Sequence, residues 1–322
     1  MINFRQTCAF ALVLACPGLA ATSLAGEAGP ITAKYVPQEV ARDTYVIHGP
    51  TGRPSPENQG FMNNPGFIVT SAGVVVVDAG GSVQAGRMVL ETIREVTDNP
   101  VVAVFATHIH GDHWLGNQAI REAFPDVVLY AHPKLMDEAS AGAADTWLSL
   151  MMQMSDGATS GTEAVIPDTP VVHGDKVRIG DHTFAIHHQG QAHTKSDIAI
   201  QVLPGNTLFA GDLALNARFS RMDDGQFIGL QQTLDQLQAL DPAVVVPGHG
   251  LTGGIEILRV NQALFANLYK TVEVLYEEGR SDFEMKSDVL TAVKEFHDWD
   301  GFEEGIGRMI SQAYLEVEEN NF

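Results

Sequence analysis

Cysteine is nearly missing from this chain: the only two, Cys8 and Cys16, lie close to the N-terminus, ahead of anything that reads as folded. The remainder has no disulfide to staple it and no thiolate to offer a metal ion. Positive charge is scarce as well, with 19 Lys and Arg against 40 Asp and Glu and a formal net charge of −21. Contact with a polyanion needs a basic face that displaces counterions, so nucleic acid is excluded as a partner. A membrane span is lacking too, because the apolar run at residues 8–15 is too short and is broken by Pro17 and Gly18. That run follows a start with one basic and no acidic side chain and leads through small residues to Ser23-Leu24-Ala25. This is the layout of a secretory signal peptide over residues 1–25, and it implies a periplasmic or secreted protein; cleavage before Cys16 to a lipoprotein is the competing processing. There is no internal repeat and no low-complexity stretch. At 322 residues the chain can bury a large core, as one big two-layer domain with an appendage or as two small domains.

Histidine, by contrast, is concentrated. His108, His110 and His113, with Asp112, fall within one short segment directly after the apolar run 101–106, which reads as a buried strand delivering them to one rim of a sheet. Neutral imidazole and carboxylate suit zinc, and a loop leaving a strand end can aim alternate side chains at two neighbouring ions. A His-x-His pair alone would read as a solvated polar turn; Asp112 and His113 reverse that balance.

The segment His108-Ile109-His110-Gly111-Asp112-His113 resembles the HxHxDH signature of the metallo-β-lactamase-fold hydrolases. The resemblance implies three further ligands at strand ends: a His, an acidic or Cys residue, and a last His. His193 in Gln191-Ala192-His193-Thr194, Asp212 in Phe209-Ala210-Gly211-Asp212, and His249 in Val246-Pro247-Gly248-His249 stand in that order, each after an apolar or alternating run and beside small residues that allow a sharp turn. The match extends over most of the chain after about residue 40. It implies an α/β fold, a four-layer αββα metallo-β-lactamase sandwich over residues 26–254, with a C-terminal helical extension over residues 255–322. It also implies two Zn2+ ions, one on His108, His110 and His193, the other on Asp112, His113 and His249, with Asp212 bridging them. Ions about 3.5 Å apart would share a water whose pKa falls toward 7. Asp112 takes the catalytic role as well, orienting that nucleophile and returning a proton to the leaving group. Asp78 would orient the metal loop without binding metal, the competing reading being a helix N-cap.

Ligand types narrow the chemistry further. Asp212 sets the chain apart from lactamases with Cys at that place, and His110 from oxygen-reducing diiron relatives with Glu. The leader and helical tail resemble the quinoprotein relay system and sulfur-oxidation-associated zinc metallohydrolases. The function so implied is metal-dependent hydrolysis of a small-molecule acyl substrate, an ester, thioester, lactone or β-lactam-like amide, with no covalent acyl-enzyme. Two alternatives stand beside it: a mononuclear iron sulfur (persulfide) dioxygenase, and a non-catalytic metal-binding accessory protein of a periplasmic quinoprotein system.

Elsewhere the pattern predicts strands at 44–48, 67–70, 74–78 and 127–131, and a strand pair at 171–180 and 183–188. Helices are expected at 83–96, 114–123, 134–154, 230–240, 255–277, from Ser281 to Phe296, and at 305–318. The methionines of the 134–154 segment read as core fillers ahead of groove lining. His187 and His188 alternate on a strand, so at most one faces the site, and neither is assigned to metal; His48, His132, His173, His182 and His297 are structural. Arg218 or Arg221 is a candidate clamp for a substrate carboxylate or a solvated surface group. The helical tail is the candidate surface for a homodimer.

Overall fold

The computed structural model describes residues 27–321, so the leader expected over residues 1–25, with both cysteines, lies outside the described residues. Among the described residues no helix is long and apolar enough to cross a membrane. Seven strands follow one another across the first sheet in chain order: β1 (Gln38–Ala41), β2 (Thr44–Val46), β3 (Gly66–Thr70), β4 (Gly73–Val77), β5 (Val101–Phe105), β6 (Val128–Ala131) and β7 (Thr169–Pro170). The second sheet holds β8 (Lys176–Ile179), β9 (His182–His187), β10 (Ala199–Leu203), β11 (Thr207–Gly211) and β12 (Val244–Pro247), in the spatial order β12-β11-β10-β9-β8. In the first, β1 to β4 pair antiparallel and β4 to β7 parallel; the valine-rich central strands carry no polar face because both faces are covered.

Strand alternation sorts these residues into layers. Val75 and Val77 of β4, with Phe105, pack between the sheets against Phe184, Ile200 and Phe209, while Val74 and Val76 turn the other way to meet α1 (Val83–Arg94). That outer side also carries α3 (Asn117–Ala123), which follows the short α2 (Gly111–Trp114). The far face of the second sheet is covered by α6 (Phe227–Ala239) and α7 (Glu256–Glu277), onto which α8 (Lys286–Ala292) and α9 (Phe302–Asn320) pack in one continuous apolar cluster. The result is the expected αββα sandwich with C-terminal helices, and the αβ-strand ends on one rim are left free to carry a site.

Three expected elements differ in shape. The segment 134–154 is not one helix but α4 (Pro133–Glu138), a π-type turn over Ala139–Ala143, and α5 (Ala144–Met154). Gly142 sits at φ 118° in that turn, a conformation that an L side chain rarely adopts, and the axis breaks there. The strand expected at 171–180 is confined to β8, and the helix expected to run from Ser281 to Phe296 is a Ser281/Glu284-capped turn, then α8, then a short 3-10 turn.

Helix α6 starts three residues earlier than residue 230 because its cap comes from afar. Glu316 of α9 accepts the backbone N–H of Phe227 (2.6 Å) and of Ile228 (3.0 Å), placing a carboxylate on the helix N-terminus. Glu316→Ala is expected to cost about 1–2 kcal/mol by exposing those donors, read as a lowered denaturation midpoint; an unchanged midpoint would remove this cap from the account.

Candidate metal centre

Strand ends converge where β4, β5, β11 and β12 finish on the same rim. The loop after β5 carries His108, His110, Asp112 and His113; β11 and β12 end at Asp212 and His249; the β9–β10 loop brings His193. All seven residues named from the sequence meet in two groups, His108/His110/His193/Asp212 and Asp112/His113/His249, within each of which one ligand atom per residue lies within 4.8 Å of the others. Asp212 joins the groups: its Oδ2 is 3.6 Å from His193 Nε2, while its Oδ1 is 3.3 Å from His113 Nε2 and 3.5 Å from His249 Nε2. Gly248 is required beside it, because a Cβ there would collide with Asp212 Oδ1.

The hydrogen bonds behind the imidazoles fix which nitrogen faces inward. Asp78 accepts the Thr107 N–H on Oδ1 and the Thr107 hydroxyl on Oδ2, both at 2.8 Å, so Thr107 Oγ1 is left to accept from His108 Nδ1–H at 3.0 Å. His108 Nε2 is thereby bare. His113 Nδ1–H donates to Asp78 Oδ2 (2.8 Å), and His249 Nδ1 lies between the Met62 carbonyl (2.8 Å) and Arg218 Nη1 (2.9 Å), so both rings turn Nε2 toward Asp112 and Asp212. His110 is turned the other way: its Nε2–H faces Asp224 Oδ2 at 3.2 Å, and Nδ1 points to His193 Nε2 at 3.0 Å. His108 Nε2, His113 Nε2 and Asp212 Oδ1 are buried without a hydrogen-bond partner, the state that a cation would relieve. Asp78 does orient the metal loop; the N-cap of α1 is Ser82, whose side chain accepts from Ala85 N.

Charge makes the same demand. Asp78, Asp112 and Asp212 are buried, and among the described residues no Lys or Arg forms an ion pair with any of them. Burial, then the neighbouring imidazoles His113 and His110, push His108 well below the usual histidine range, and burial with His110 brings His193 down to about 3. Both are therefore neutral donors. Burial disfavours ionised Asp112 and Asp212, yet His113 and His249 beside them hold both carboxyls well below their ordinary value. Buried carboxylates facing inward-turned imidazole nitrogens form a donor set that fits divalent metal.

A family model described as the metallo-beta-lactamase superfamily matches residues 58–249, more than half of the chain and a span that contains all seven positions. The chain belongs to the metallo-β-lactamase superfamily. It is in class a metal-dependent hydrolase. The metallo-β-lactamase IND-1 of Chryseobacterium indologenes is 24% identical over 194 residues, 59% of this chain and 72% of that protein. A linear primary-alkylsulfatase of Pseudomonas sp. (strain ATCC 19151) is 36% identical over 75 residues, 22% of this chain and 14% of its own length. Among solved structures, the inverting sec-alkylsulfatase Pisa1 from Pseudomonas sp. aligns with TM-score 0.66 and 16% identity over 88% of this chain and 50% of that one, and a metallo-β-lactamase from Pontibacter korlensis with TM-score 0.58 and 18% identity over 73% and 100%.

In this superfamily member the sequence pattern left several site residues unmarked. Thr107, Asp224 and Trp147, whose ring lies 4.9 Å from that of His110, carry no motif of their own and reach the ligands only through the fold. Asp197 ties down the loop bearing His193, accepting Thr194 N–H (2.7 Å) and hydroxyl (2.8 Å), and burial pushes its carboxyl up to about 7. Arg221 is taken by Asp223, whereas Arg218 Nη1 rests 2.9 Å from His249 Nδ1 and has no carboxylate partner among the described residues.

Histidines outside the seven take structural places. His187 bonds Gln201 and His188 donates to the Asp197 carbonyl, both away from the ligand groups. His132 stacks on His188 at 4.0 Å, and its Nδ1 accepts Lys134 N–H at 3.3 Å as the N-cap of α4. Burial, then His188 and Lys134, bring its pKa down to about 4 from 6.5. The unfolded chain protonates first as pH falls, so this contribution to stability is complete above pH 6.5 and is lost as pH falls toward 4. His132→Asn keeps an acceptor at the cap without a titrating base, and its melting temperature should fall less steeply over that window than that of the wild type; parallel curves would contradict the assignment.

Proposed function

We propose that this chain is an exported dinuclear zinc hydrolase that cleaves an ester, thioester, lactone or β-lactam-like amide. One observation carries the reading: two groups of ligand atoms meet at Asp212, and His108 Nε2, His113 Nε2 and Asp212 Oδ1 among them are buried and orphaned. His108, His110 and His193 would hold one ion, and Asp112, His113 and His249 the other. A zinc pair there would acidify a water to a nucleophile near neutral pH and polarise the scissile group. Export rests on the leader-like residues 1–25 alone.

The remaining steps belong to the chain's own side chains. Asp112 lines the cavity with its carboxylate ionised, and its Oδ2 is held 3.2 Å from His249 Nε2 and 3.5 Å from His113 Nε2. Its Oδ1 accepts a hydrogen bond from the attacking water, takes the proton and passes it to the leaving group. Among the described residues the one side-chain hydroxyl hydrogen-bonded to a ligand imidazole, Thr107 Oγ1, is committed between Asp78 and His108 and is not free to attack. The reaction therefore proceeds by direct attack of water without an acyl-enzyme.

Sulfate-ester hydrolysis is a second reading, favoured by the stretch of 36% identity with the alkylsulfatase and by Arg218, which lies against His249 and has no ion-pair partner among the described residues. The test is a panel of esters, thioesters, lactones, a chromogenic cephalosporin and a primary alkyl sulfate, offered to zinc-loaded protein. Turnover of an acyl compound, removed by chelator and by His110→Ala and restored to the wild type by zinc, is expected. Turnover of the sulfate alone would select the second reading. No turnover, with one iron and little zinc in the purified protein, would replace both by the dioxygenase.

A further inference from the structure

The geometry points to an amphiphilic anion as the occupant of the cavity over the metal centre: an extended apolar group laid along α5, with its acidic head on the arginine side. This rests on the proposed function in taking that cavity, of about 1020 Å³, as the substrate site. Trp147, Leu150, Met151 and Met154 recur at the spacing of one helix face, a pattern that usually marks a stripe facing a protein core. Here the stripe lines the cavity, and Trp147, Leu150 and Met154 are only half-buried. Across from it stand Met62, Met222 and Met309, so that five of the chain's ten methionines surround one space. Unbranched thioethers repack around apolar groups of varied shape, which suits a flexible chain better than a rigid ring.

The other side of the cavity brings arginines together with acids such as Glu138, Asp224, Asp300 and Glu304, in a protein of net charge −21. Arg221 and Arg308 are held by Asp223 and Lys195 is answered by the nearby Glu138, but Arg53 and Arg218 line the cavity with no ion-pair partner among the described residues. A neutral apolar substrate would leave these cations unanswered, and a small anion would leave the α5 wall wet. A molecule with both ends satisfies both surfaces, and a carboxylate and a sulfate share the head-group chemistry.

Calorimetric titration of the zinc-loaded full chain with butyl, hexyl, octyl and decyl carboxylates and sulfates, kept below micelle-forming concentrations, tests this without requiring turnover. Affinity should rise about two- to fourfold per added methylene, and the tighter series assigns the head group. The pair Leu150→Gln and Met154→Gln should cut decyl affinity by about tenfold or more while the thermal midpoint stays near wild type. Arg218→Gln should weaken every member of the tighter series by a similar factor. Affinity independent of chain length, equal binding of the matching alkyl alcohols, or decyl affinity untouched by the α5 pair would each overturn the inference. Graded binding with no hydrolysis would keep it and remove the hydrolase reading, whereas turnover of short acyl substrates with flat binding would do the reverse.

Discussion

Asp212→Ala is expected to lower hydrolysis by about three orders of magnitude or more, the scale of losing activation of the attacking water. This carboxylate lies within reach of both ligand sets, with Oδ2 toward His193 and Oδ1 toward His113 and His249. Without it neither set loses its own three imidazole and carboxylate members, but the two are no longer joined by a shared anion. Metal content should therefore fall from two equivalents toward one, and activity should fall further than occupancy does. Steady-state kinetics with metal analysis on the same samples separates the effects. A variant retaining both ions and near-normal turnover would mean that Asp212 is a buried bystander.

Asp78→Asn should be nearly as informative, although this residue touches no metal in the account. The amide can keep the Thr107 N–H bond on its oxygen, and asparagine tolerates the residue's φ of 59°, so the fold should survive. The amide nitrogen, however, presents hydrogens where Oδ2 accepted from His113 Nδ1–H and from the Thr107 hydroxyl. Two donors then face each other, and His113 is driven toward the tautomer whose Nε2 carries the proton. Affinity at the Asp112/His113/His249 group should drop by about 10- to 100-fold, while the His108/His110/His193 group is less affected. Competition with a zinc-binding dye, resolving a tight and a weak step, checks this; two unchanged steps would contradict the tautomer argument.

The parts of the molecule legible in the sequence were those written locally. A valine run followed at once by four ligand-type residues marks a strand end and its cargo within one segment, and β5 with its loop follows that pattern. Alternation on β9 likewise kept His187 and His188 from the ligand groups. What depended on distant partners was hidden. The start of α6 is set by Glu316, almost ninety positions away, and nothing near Phe227 announces it. The break at Gly142 was masked because a single glycine is tolerated within a helical pattern. The α5 stripe has the periodicity of a core-facing helix, and periodicity reports that a face is apolar without saying whether protein or ligand covers it. Met151 does join the core, while Met154 and Leu150 open onto the cavity.

Anomalous scattering at the zinc edge, from crystals grown with excess zinc, tests the central claim most directly. Two peaks are expected, one enclosed by His108, His110 and His193 and one by Asp112, His113 and His249, with Asp212 in contact with both. A single peak outside these groups, or none at all in protein that is otherwise folded and active, would contradict it.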